Sequence, residues 1–159
     1  MSQTSPEETI GAFLRAHHYV WSRLQRLAAY ADAPDPLQSV VLTQLYRDPR
    51  RRAGMQDLGE MLSMSPSGVC RLVDRMERAG FIARERGVED RRVTYAVLTD
   101  AGEQALRHTG DVYRAGYDEL FLQRLSPGEL DDLVALLSRL AGDGVVAPWG
   151  AAKVAEVTA

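Results

Sequence analysis

The sequence predicts a mainly α-helical fold with one small β-hairpin, and three observations carry that prediction. Apolar residues recur at helical spacing through most of the 159-residue chain. Proline and small polar residues stand where helices would begin. Two short runs of β-branched and aromatic residues, Phe81 to Arg86 and Val93 to Leu98, flank one charged turn, Gly87 to Arg92. The length suits one compact domain, or one domain with appended helices, and a 45% hydrophobic content is enough for a core.

Ile10, Phe13, Leu14, His17, Val20, Trp21, Leu24 and Leu27 trace one face of a first helix over Glu7 to Tyr30, which Ala33-Pro34-Asp35-Pro36 ends. Leu37 to Arg47 reads as a short second helix, with Val40, Val41, Leu42 and Leu45 as core candidates. Asp48 to Gly54 reads as a basic loop. Met55 to Leu62 is a third helix, and Ser63-Met64 a tight connection. Ser65 suits the N-cap and Pro66 the first helical position of a fourth helix, where a missing N–H costs nothing. This helix runs to Ala79, and Gly80 stands where a left-handed residue is expected. Two short helices joined by a few residues and followed by a hairpin predict a winged helix-turn-helix. Thr99 then caps a long helix from Asp100 to Leu125, in which Gly110 and Gly116 mark weak points or a bend. Ser126-Pro127-Gly128-Glu129 is a capping box that opens a last helix to Ala141.

Composition removes several classes of function. No apolar run approaches the roughly 20 residues of a membrane-crossing helix. Met1 to Glu8 is polar and acidic, unlike a secretory signal, so the expected location is the cytoplasm. A single cysteine, Cys70, makes no intramolecular disulfide and no Cys-based zinc site. His17 and His18 point about 100° apart on a helix and make a poor chelating pair. No nucleophile elbow, phosphate loop or convergent carboxylate pair is visible. The expectation is a protein that is not an enzyme and takes no metal or cofactor.

The net charge of −3 hides an uneven distribution. Arg47 to Arg92 holds 11 Arg against 8 Asp or Glu, a net of +3, and the rest of the chain carries −6. A polyanion feels the nearest charges once salt screens the rest, so the basic middle is the part that matters.

On a helical wheel, Val69, Leu72, Val73, Met76 and Ala79 fall on one side of the fourth helix. Ser67, Arg71, Asp74, Arg75 and Arg78 fall on the other. A stripe of small and guanidinium-bearing residues fits the DNA major groove, where Arg can pair with guanine, and the helix N-terminus attracts phosphate. Asp74 would repel a duplex, so it is expected to pair with a neighbouring Arg. The same pattern also fits an ordinary amphipathic surface helix. At the hairpin tip, Arg91 and Arg92 suit a narrow minor groove, with Asp90 expected to hold an Arg through a carboxylate–guanidinium pair. A solvated turn would carry the same charges.

The block from Leu58 to Ile82, with Ser65-Pro66-Ser67-Gly68-Val69-Cys70-Arg71-Leu72-Val73-Asp74-Arg75-Met76 at its centre, resembles the central block of MarR-family regulators. Asp90-x-Arg92, then five residues, then Leu98-Thr99-x-x-Gly102 resembles that family's wing signature. The resemblance is strong over Met55 to Gly102. It implies a transcription regulator, most often a repressor, that binds duplex DNA as a homodimer on a pseudo-palindromic operator. It implies that Ser65, Ser67, Gly68, Arg71, Arg75 and Arg78 face the major groove, and that Asp90, Arg91 and Arg92 serve the wing. Cys70 departs from the family, standing where many relatives have Thr.

The organisation expected is an N-terminal dimerisation helix over 1–36, a winged lobe over 37–99, C-terminal dimerisation helices over 100–142 and a flexible tail over 143–159. A small winged domain cannot easily cover Ile10, Phe13, Val20, Leu24, Leu133, Leu136, Leu137 and Leu140 by itself. A second copy is the economical cover, and a monomeric bundle is the alternative. The resemblance also implies a small aromatic anion as effector, for which Arg15, His17, His18, Trp21 and Tyr46 are the candidate lining. The plainer reading makes Trp21 core and the two histidines interface or surface. Cys70 reads as a half-buried inert thiol in preference to a redox switch. A winged helix serving only protein interaction is the competing function; it would not depend on Arg71, Arg75 or Arg92.

Overall fold

The structure is a computed structural model, and it describes residues 4–88 and 90–141. The expected tail over 143–159 lies outside the described residues. The helices are α1 (Pro6–Tyr30), α2 (Pro36–Arg47), α3 (Met55–Leu62), α4 (Pro66–Arg78), α5 (Asp100–Tyr117) and α6 (Pro127–Ala141). The strands are β1 (Arg52–Gly54), β2 (Ile82–Arg86) and β3 (Thr94–Leu98). Side chains start the helices as the sequence expects. Ser65 caps α4, Thr99 caps α5, and Ser126 with Glu129 closes a capping box on α6. Two further boxes, Ser5 with Glu8 and Asp35 with Gln38, start α1 and α2. Gly80 closes α4 at φ +77°, a conformation that glycine adopts without steric cost.

Two expectations need correction. The basic loop over Asp48 to Gly54 is in part a strand: β1 pairs antiparallel with β3, giving a three-stranded sheet in the order β1-β3-β2. Arg51 takes a left-handed φ of 53° and turns the chain onto the free edge of β3, and the Arg52 guanidinium lies 4.3 Å from the Tyr95 ring centre. The long helix expected to Leu125 ends at Tyr117 and continues as a π-helical turn, Asp118–Leu122. This widened turn buries Leu120 and brings Glu119 onto Arg23 of α1 through two hydrogen bonds of 3.0 and 2.7 Å.

The core sits in the winged lobe. Val41, Leu42 and Leu45 of α2 meet Leu58, then Val69, Leu72, Val73 and Met76 of α4, and then Ile82, Ala96 and Leu98 of the sheet. Of the expected α2 core, Val40 is only half-buried. α5 ties this lobe to α1. His108 Nε2 lies 2.9 Å from the Ala31 carbonyl, and the Tyr113 hydroxyl donates to the Pro34 carbonyl at 3.4 Å. Burial pushes the Tyr113 hydroxyl up to about 12. By contrast, the outer faces of α1 and α6 are uncovered in the single chain: Ile10 is 60% exposed, Leu14 56%, Val134 63% and Leu140 70%. No helix among the described residues is long and apolar enough to cross a membrane.

Candidate nucleic-acid interface

The fourth helix divides as its periodicity requires. Val69, Leu72, Val73 and Met76 are buried, while Ser67, Arg71 and Arg75 are exposed. Ala79, expected on the apolar side, is the exposed C-cap. At the N-terminus, Ser65 Oγ accepts the Gly68 N–H at 3.3 Å and lies 3.2 Å from Ser67 Oγ. One cap therefore places two hydroxyls on the exposed N-terminal corner of a helix, where the helix dipole also favours an anion such as phosphate. Arg78 is exposed, but its Nε donates to the Asp74 carbonyl at 3.1 Å, so its stem lies along the helix.

Asp74 does pair with an arginine, though not one of its own helix. Arg84, at the centre of β2, donates to Asp74 Oδ1 at 2.5 Å and to Glu77 Oε2 at 2.8 Å, and reaches the Cys70 carbonyl at 3.4 Å. Burial alone would lower the Arg84 guanidinium. The hydrogen bond and charge of Asp74, reinforced by Glu77, instead hold it above its ordinary value. The sequence reading missed Arg84. Its signal was alternation: residue 84 shares the inward face of β2 with buried Ile82, and a charge on that face needs carboxylates to meet it.

The wing turn is closed by backbone bonds, from the Gly87 N–H to the Val93 carbonyl at 2.9 Å and from the Val93 N–H to the Asp90 carbonyl at 3.1 Å. The expected Asp90–guanidinium pair is not seen among the described residues. The Asp90 carboxylate instead accepts the backbone N–H of Arg92 at 2.8 Å, as a short acidic side chain in a turn commonly does. Arg91 and Arg92 are both exposed at the tip. Cys70, expected half-buried, is exposed: it sits one step off the buried row.

Of the candidate effector residues, His17 is stacked between Phe13 and Trp21 at centroid distances of 6.3 and 5.9 Å. His17, His18 and Arg15 are exposed and Trp21 is half-buried. Tyr46 lies apart from this stack, on α2 against the core, with the Arg51 guanidinium 5.3 Å from its ring centre. No group of three or more His, Cys, Asp or Glu is placed to hold a metal ion among the described residues.

Behind the wing, the Thr99 hydroxyl lies 2.6 Å from the Gly80 carbonyl and 2.9 Å from the Phe81 carbonyl, sharing one proton between them, and accepts the Gly102 N–H at 3.0 Å. A Cβ on Gly102 would stand 2.0 Å from the Phe81 carbonyl oxygen, so the Thr99-x-x-Gly102 spacing is a packing requirement.

Residues 36–94 match the family model of the MarR family. The uncharacterised HTH-type transcriptional regulator YkoM of Bacillus subtilis is 34% identical over 106 residues, a match spanning 66% of this chain and 66% of that protein, just under two thirds of each. A MarR family transcriptional regulator of Streptomyces coelicolor, Sco3205, solved in complex with DNA, superposes with a TM-score of 0.76 at 25% identity, covering 87% of this chain and 92% of that one. AbsC, another MarR family regulator of the same organism, superposes with a TM-score of 0.74 at 24% identity, over 89% of this chain and 96% of that one.

Proposed function

The chain belongs to the MarR family of winged helix-turn-helix transcriptional regulators, and on that ground we propose that it acts in the cytoplasm as a homodimer, repressing transcription from a pseudo-palindromic DNA operator. The observation that carries this reading is α4 itself. A Ser-capped helix buries one apolar row and presents Ser67, Arg71 and Arg75 to solvent, beside a wing whose tip presents Arg91 and Arg92. In this reading α4 enters the major groove, and Arg92 enters the flanking minor groove. Pairing α1 and α6 with their copies places two α4 helices on half-sites about one helical turn apart. The uncovered apolar faces of α1 and α6 support the dimer.

Release from DNA is assigned to a small aromatic anion or to oxidation of Cys70. The partly exposed stack of Phe13, His17 and Trp21, with Arg15 two residues from His17, supports the first; the exposure of Cys70 on α4 supports the second. No cofactor is required.

The test is binding of the purified protein to DNA from upstream of its own gene and to a scrambled duplex, over a salt series. The expected result is preference for the upstream duplex, a steep fall with salt and one dimer per site. If a genome-wide pull-down and a random-sequence pool both fail to enrich any site, the protein-interaction reading replaces this one.

A further inference from the structure

Arg84 occupies an unusual place for a charge. It is the middle residue of β2, opposite Ala96 of β3, and shares the inward face with the buried Ile82. Its side chain is 29% exposed. It grips α4 at Cys70, Asp74 and Glu77, steps of four and three residues on one helix face. At about 1.5 Å per residue, one planar fork therefore gathers groups from helix positions about 10 Å apart. Arg84 meets Glu77 through Nη1 and Asp74 through Nη2; a lysine would bring one compact ammonium without that fixed separation of donors.

Two consequences follow for a DNA interface. The hairpin joins α4 through Gly80, a turn with left-handed geometry whose carbonyl the Thr99 hydroxyl holds, and Arg84 is a second side-chain brace, placed further along the hairpin. The α4 segment Pro66–Arg78 also carries three Arg against Asp74 and Glu77, a net of +1, which Arg84 raises to +2.

We propose that Arg84 is a positioning residue for DNA recognition: by clamping Asp74 and Glu77 it sets the distance between the base-reading helix and the minor-groove wing, and its one positive charge offsets half of the repulsion that these two carboxylates would exert on the duplex. Arg84 itself need touch no DNA. The inference rests on the DNA-binding reading above.

The test uses the full chain and three variants: Arg84→Lys, Arg84→Met, and Arg84→Met combined with Asp74→Asn and Glu77→Gln. The probe is the duplex that the wild-type protein selects from a random-sequence pool, built with A·T or G·C flanks. Arg84→Met is expected to bind roughly tenfold more weakly, because two exposed carboxylates now face phosphate. The triple variant regains core affinity but still fails to discriminate the flanks. Arg84→Lys keeps the wild-type salt slope and loses the same discrimination. Hydrogen exchange on the free proteins is expected to quicken over residues 82–86 and 94–98 in all three.

Wild-type flank discrimination in Arg84→Lys and in the triple variant, or unchanged exchange in the wing, overturns the positioning role while leaving DNA binding intact. A wild-type protein that selects no duplex, or shows no flank preference, overturns the DNA reading and this inference with it.

Discussion

Arg75 stands in solvent on the outer row of α4, with no ion pair to another side chain among the described residues. If it reads a base bidentately, Arg75→Ala costs about 1–3 kcal/mol of operator binding and relaxes base preference at one position. Equal weakening on operator and random DNA, measured by titration, would reduce it to a phosphate contact. Arg92 is expected to matter through its surroundings: Arg92→Ala weakens sites with A·T flanks most, and a flank-independent loss refutes the minor-groove assignment. The exposed row of α4 was legible from the sequence because burial follows helical periodicity. The partners of the acids were not. Asp74 meets an arginine ten residues away on another element, and Asp90 spends its carboxylate on a backbone amide. Such pairings depend on how a strand is laid against a helix, and one-dimensional spacing does not record that.

The starts of α4, α5 and α6 were legible because each is written in a few adjacent residues, as with Ser65-Pro66 and Ser126-Pro127, whereas α3 starts after Gly54 with no side-chain cap to read. β1 was not, because Arg52-Ala53-Gly54 is too short for alternation and becomes a strand only through the free edge of β3. The π-helical turn was hidden because apolar spacing continues smoothly to Leu125. At the junction of wing and α5, Gly102→Ala forces a methyl into the Phe81 carbonyl and is expected to destabilise the protein by about 1–3 kcal/mol. An unchanged thermal midpoint would show that α5 can shift aside.

The same helix start should respond to acid. Hydrogen bonds from Arg51 and then Arg107 hold the Glu103 carboxyl below its ordinary value of 4.5. A carboxylate depressed in the folded state contributes its stability above the unfolded value, and that contribution is lost as pH falls through the folded one. Melting curves below pH 4.5 should therefore show wild type losing more stability than Glu103→Gln. Parallel loss in both would remove Glu103 from the acid response.

For the whole molecule, the apolar faces of α1 and α6 make a prediction about assembly. Leu14→Glu with Leu137→Glu changes two side chains that are exposed in the single chain, so the protomer is expected to stay folded while the proposed dimer dissociates at micromolar concentration. Sedimentation would show the shift, and operator binding would lose its one-dimer stoichiometry. A double variant that remains dimeric would place the interface elsewhere.

The Thr99 junction has a mechanical consequence. One hydroxyl holds the end of α4, the first residue of the wing and the first turn of α5 together. With that corner stiff, any movement of the winged lobe would be that of the short arm of a lever whose long arm is α5. In a paired molecule, a tilt of α5 too small to unfold anything would be geared into a change of span between the two reading heads. The rise of the double helix would then act as the gauge that accepts one span and rejects the other.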